Sequence, residues 1–119
     1  MAKVKSKNEF RIHNSKKSGY HPTYIFAKKG NKLKFVGITH ADITNGIKNI
    51  PLETNPNPKD KTPSFFRPFY DESHYSSFGK KKKGWKLNPK DRLKVPKNKK
   101  KWRIEHPKLN SYLVPRDSN

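Results

Sequence analysis

The chain has 119 residues, 29% hydrophobic and 32% charged, with 29 Lys and Arg against 9 Asp and Glu for a net charge of +20. That length holds one domain at most, and no apolar run approaches the ~20 residues that span a bilayer. With no cysteine, a disulfide framework, a thiolate nucleophile and cysteine-ligated zinc are excluded. Residues 1–10 lack the apolar stretch of a secretory signal, so the expectation is a cytoplasmic protein with a polyanionic partner and no membrane contact.

In chain order, residues 1–18 read as a basic arm, 19–79 as the core and 80–119 as a lysine-rich extension. The clearest element is a hairpin of residues 23–27 and 33–39, joined across Gly30-Asn31, a pair suited to a two-residue loop. Counting outward from that loop puts Phe26 opposite Phe35, Ile25 opposite Val36, Tyr24 over Gly37 and Thr23 against Ile38. The same register sets His21 against His40. A third strand is expected near 48–53, then a Pro/Asn-rich loop over 55–63. Residues 64–70 read as a fourth strand, with Pro68 confining it to an edge or marking its end. Residues 89–95 read as a short helix, with Asn88 as N-cap, Pro89 at the first position and Pro96 as the stop. The fold class expected is α+β, mostly β: a small antiparallel meander sheet with one short helix and basic flexible ends.

The charge is uneven. Residues 51–79 carry 3 basic and 4 acidic groups, whereas residues 80–119 carry 15 and 3. The runs Lys80, Lys81, Lys82, Lys83 and Lys97, Lys99, Lys100, Lys101 repel themselves, so each is expected to stay extended until phosphate oxygens neutralise it. Trp85 and Trp102 follow the two runs and have two readings: anchors onto a small core, or stacking surfaces for an unpaired base. Gly79, Gly84, Pro89 and Pro96 interrupt any amphipathic helix that could lie on a bilayer, and no lipidation signature is present. Nucleic acid ranks above anionic lipid, and RNA above DNA.

No phosphate-loop, dinucleotide, nucleophile-elbow or zinc-protease motif is present. Asp71 and Glu72 are adjacent and point to opposite faces of a strand, so a two-metal centre is not expected. Neither is a cofactor or a histidine-rich metal site. Metal-independent RNA cleavage needs only a base, an acid and cations for the phosphorane charge. His21 and His40 are the candidate pair, with Tyr24, Arg67 and His74 as additions. The structural alternative is that His21 shapes the entry to Pro22 and His40 caps the turn at Ala41-Asp42. His13 and His106, in the basic ends, read as surface residues.

The segments Gly19-Tyr20-His21-Pro22-Thr23-Tyr24, Gly37-Ile38-Thr39-His40 and Asn55-Pro56-Asn57-Pro58-Lys59-Asp60 together resemble small basic proteins of bacteria and their mobile elements. That likeness covers roughly residues 19–88. A looser similarity, in size, charge and sheet only, is to the barnase/RelE-like endoribonuclease toxins, and it implies an RNA substrate without carrying over any residue. The leading expectation is an RNA-binding protein, in one variant a metal-independent ribonuclease. Two alternatives stay open: a non-catalytic nucleic-acid or ribonucleoprotein-binding module, and an accessory protein that binds an acidic protein partner.

Overall fold

The computed structural model describes residues 4–15 and 19–100. Its strands are β1 (Val4–Ser15), β2 (Gly19–Lys29), β3 (Lys32–Thr39), β4 (Ile43–Thr44), β5 (Ile47–Lys48), β6 (Ile50–Pro51) and β7 (Phe65–His74). One antiparallel sheet runs in the order β1-β2-β3-β7-β6, and β4 pairs with β5 in a separate small hairpin. That hairpin turns on Asn45 and Gly46, with φ of 52° and 76°, the left-handed pair that a two-residue loop of this hand requires. The mostly-β meander with little helix is therefore the architecture. No helix of the described residues is long and apolar enough to cross a membrane.

The β2–β3 loop follows the expected register only near its tip. Lys29 pairs with Lys32, Lys28 with Leu33 and Ala27 with Lys34, but the ladder then slips by one residue at Phe26. Beyond this bulge Ile25 pairs with Phe35, Tyr24 with Val36 and Thr23 with Gly37. A one-residue slip exchanges the faces of everything after it. The core supplies the reason. The slip brings Tyr24 to the face holding Phe10 and Phe66, with ring centroids 5.1 and 6.1 Å away. The expected facing of His21 with His40 is overturned by the same slip. The β2–β3 ladder ends at Thr23 and Gly37, His40 lies just past the end of β3, and on the other side of β2 His21 pairs with His13 of β1.

The two faces of the sheet carry separate apolar clusters. One gathers Phe10, Tyr24, Val36, Ile38, Phe66 and Leu87, with Trp85 and Val95 packed on it. The other gathers Ile25, Leu33 and Phe35, with Phe78 beside it. Both basic ends are thus built into the core where they are described, because a sheet this short of apolar side chains recruits Phe10 from one end and Trp85, Leu87 and Val95 from the other.

β7 begins one residue later than expected and runs four further, and its proline is accommodated by a second irregularity. Val36 pairs with Tyr70 and Ile38 with Phe66, so Arg67, Pro68 and Phe69 together oppose the single residue Gly37. Pro68 sits where the ladder is already broken, the position a strand proline needs. The third expected strand is reduced to the two-residue pieces β5 and β6. The helix near residue 90 is a 3-10 helix, Pro89–Lys94, with the Asn88 side chain accepting from Lys90 N at 3.0 Å.

Candidate nucleic-acid interface

The register fixes which side chains share the Phe35 face. His13 stands opposite His21, Thr23 opposite Gly37, and Phe35 opposite Asp71. These residues line a cleft of about 370 Å³. Arg67 and Phe69 of the β7 bulge close one side of it, and Thr44 and Asn45 of the β4–β5 hairpin rise beside them. Lys100 reaches in from the tail, its Nζ 3.8 Å from Asp71 Oδ2.

Arg67 is held in place from several sides. A Cβ on Gly37 would lie 3.2 Å from Arg67 Cγ, so glycine makes room for this side chain. Its guanidinium carbon lies 4.9 Å over the Phe69 ring, and Nη1 donates to Asn49 Oδ1. The buried Asn49 amide in turn donates to Ala41 O at 3.0 Å and Thr44 Oγ1 at 2.9 Å. One asparagine therefore ties the cationic floor of the cleft to the 41–44 turn that walls it.

His13 is half-buried. Its ring stacks on Phe35 at 4.6 Å, meets Phe78 at 5.0 Å, and its Nε2 lies 3.0 Å from Ser73 Oγ. Burial holds its pKa below the ordinary 6.5, Asp71 pulls it up, and Lys100 and His21 push it down. Because the folded chain then binds this proton less readily than the unfolded chain, its protonation opposes folding. Stability conferred by neutral His13 is full above about pH 6.5 and falls as the pH drops towards the folded value. Melting temperature measured from pH 8 to pH 5 should show this acid loss in the wild type and less of it in His13→Asn.

Of the five expected catalytic side chains, the structure brings His21 and Arg67 into the cleft and leaves three outside it. Tyr24 faces the opposite side of the sheet, since it is three residues from His21 on a strand, and burial raises its phenol pKa. His40 is exposed and pairs through Nε2 with Asp60 Oδ2 at 3.1 Å. The Asp60 carboxyl is held below its ordinary value, mainly by hydrogen bonds from Thr62. His74 pairs with Lys32 at the hairpin end of the sheet, about 23 Å along β3 from Thr39 at 3.3 Å per residue. There it caps the 3-10 turn Tyr75–Ser77 by accepting from Ser76 N.

His13, which its basic neighbours mark as a surface residue, completes the pair. Its signal was available: His13 and His21 lie symmetrically about residue 17 in Asn14-Ser15-Lys16-Lys17-Ser18-Gly19, a stretch of turn-forming residues between two strand-like segments. Among the described residues no three His, Asp or Glu side chains gather as a metal site.

The two lysine runs flank the sheet, one along β1 and the other on β7 beyond its short pairing with β6. On the β1 side, Gly79 N donates to Ile12 O at 2.9 Å and Lys82 N to Phe10 O at 2.7 Å, so the 80–83 run follows the strand. Lys80, Lys81 and Lys83 are exposed. On the β7 side, Tyr70 N donates to Asn98 O and Lys100 N to Tyr70 O, and Lys99 reaches Glu72 at 3.8 Å. Lys97 is exposed on the same stretch. Six of the seven described carboxylates, those of Glu9, Glu53, Asp60, Asp71, Glu72 and Asp91, stand within 4.0 Å of a basic side chain. None of those pairs involves residues 80–83. Trp85 packs on Phe10 at 5.8 Å and is a core anchor. Lys101 and Trp102 lie outside the described residues.

No match is found. Comparison with protein-family models, with curated proteins and with solved structures gives nothing similar to this chain. The functional reading therefore stands on its residues.

Proposed function

We propose that the protein binds single-stranded RNA, with the 80–83 lysine run holding phosphates and the His13–His21–Arg67 cleft receiving a nucleotide. The observation that carries this reading is the continuity of the two features. Phe78 packs on the His13 ring and bridges to it on the β1 edge, and the lysine run, without a carboxylate partner among the described residues, starts two residues later. Lysines in that state can neutralise phosphates and release the cations condensed along the nucleic acid, which favours binding a polyanion.

The cleft suits a nucleotide in size and chemistry. Its volume of about 370 Å³ falls in the range of small-ligand sites. Phe35 and Phe69 give it apolar ground for a base. Thr39 Oγ1 accepts from Ala41 N and Thr44 Oγ1 from Asn49, and each hydroxyl also carries a proton that can be donated to a base edge or a 2′-hydroxyl. A sugar hydroxyl is what separates RNA from DNA at such a wall.

Binding measured across a salt series tests the reading. A single-stranded RNA should show log K falling against log salt with a slope of about −3 or steeper, from ~0.7 per contacted phosphate and four lysines. The same protein should bind an equivalent single-stranded DNA more weakly. A slope near zero, or tighter binding to polyglutamate than to RNA, would contradict it and point to the acidic protein partner instead.

A further inference from the structure

We infer that the His13–His21 pair makes the cleft a site of metal-independent RNA transesterification, an activity that rests on RNA being the ligand. The two imidazoles belong to directly opposed residues on adjacent strands, whose Cβ atoms lie about 4.5–5.5 Å apart. Both line the cleft that also holds Arg67 and Lys100. This is the set such a reaction requires: two proton-transfer groups side by side and cations for the charge that builds on phosphorus.

The environments of the two histidines differ, and the difference assigns their roles. His13 is half-buried, clamped between Phe35 and Phe78 and fixed at Nε2 by Ser73. The burial that favours its neutral form suits it to accept a proton. His21 is exposed at the mouth, where it meets a departing strand. Arg67, positioned by Asn49 and Phe69, places a cation on the cleft wall for the charge that builds on the phosphorane oxygens.

The step balances without metal or oxidant. His13 takes the proton from a ribose 2′-hydroxyl, and the 2′-oxygen forms a bond to the adjacent phosphorus. The bond from phosphorus to the 5′-oxygen breaks, and His21 gives that oxygen a proton. The products are a 2′,3′-cyclic phosphate and a free 5′-hydroxyl. Proton exchange with water restores both imidazoles.

The test incubates the full chain with a short fluorescent single-stranded RNA in EDTA, beside the same sequence carrying 2′-O-methyl groups. Wild type, His13→Asn, His21→Asn and His40→Ala are compared, each checked for folding by thermal melting. The wild type should release fragments ending in a 2′,3′-cyclic phosphate from the RNA and none from the methylated strand. His13→Asn and His21→Asn should each lose about 100-fold or more in rate, well beyond any change in their affinity for the methylated strand, and His40→Ala should cut like the wild type. If His13→Asn does not fold, His21→Asn at the exposed mouth decides alone. A wild type that binds RNA without cutting it, or cutting that survives in folded His13→Asn or His21→Asn, overturns the inference and leaves RNA binding intact. Failure to bind either strand removes the RNA reading itself.

Discussion

Replacing Phe10 with alanine should lower the unfolding free energy by about 3–5 kcal/mol, the usual cost of truncating a buried aromatic ring. Phe10 is 2% exposed and lies 5.1 Å from the Tyr24 ring and 5.8 Å from that of Trp85. It thus joins β1, β2 and the C-terminal segment in one contact. Stabilities of small domains are about 5–15 kcal/mol, so the variant should be marginal or unfolded at body temperature. Urea denaturation with a fitted m-value measures the change. A loss below about 0.5 kcal/mol, the usual range for surface substitutions, would mean that residues 4–15 are an arm and not a core strand.

Asp91→Ala should cost about 2–3 kcal/mol, because it removes hydrogen bonds to a charged acceptor and strands a donor. Asp91 is fully buried, and both its oxygens accept from Glu53 N, at 2.8 and 3.0 Å. Lys94 adds an ion pair at 3.1 Å, but that ammonium is partly solvated and contributes less than the backbone bonds. Asp91→Asn, which keeps one acceptor oxygen, should lose clearly less than alanine, and the same denaturation series reads both. Equal stability of all three chains would show that the 3-10 helix does not clamp the chain after β6. The clamp matters for function. With Trp85 and Leu87 it fixes the chain just beyond residue 83, while Phe78 fixes it just before residue 80, so the four lysines are strung between two anchors.

What the sequence discloses here follows from how local each cause is. The Gly30-Asn31 loop needs only its own residues, and Asn88-Pro89 caps a helix by local hydrogen bonding, so both are readable. Pro68 excludes ladder bonding wherever it sits, and the bulge opposite Gly37 obeys it. The slip at Phe26 is different in kind. It is set by Phe10 of β1 and Phe66 of β7 packing on Tyr24, both outside the β2–β3 hairpin, and no count outward from the loop contains that information. The consequence for the site is direct, since one residue of slip takes His40 out of reach of His21. The partner is His13, which the charge of its neighbours disguised as a surface residue. Lysine runs are likewise legible as charge, but their backbone bonds to the edges of β1 and β7 are blind to side chains. Nothing in the lysines themselves signals that the runs line the sheet.

The salt dependence of single-stranded RNA binding, for the wild type beside a chain with Lys80, Lys81, Lys82 and Lys83 all changed to serine, tests the central claim most directly. Serine keeps the backbone bond from residue 82 to Phe10 and removes the four ammonium groups with their aliphatic stems. The account predicts a steep wild-type slope, a variant slope shallower by about 3, and an affinity lower on the order of 100-fold at physiological salt. Equal slopes and equal affinities for the two chains would contradict it and move the RNA contact, if there is one, away from the β1 edge.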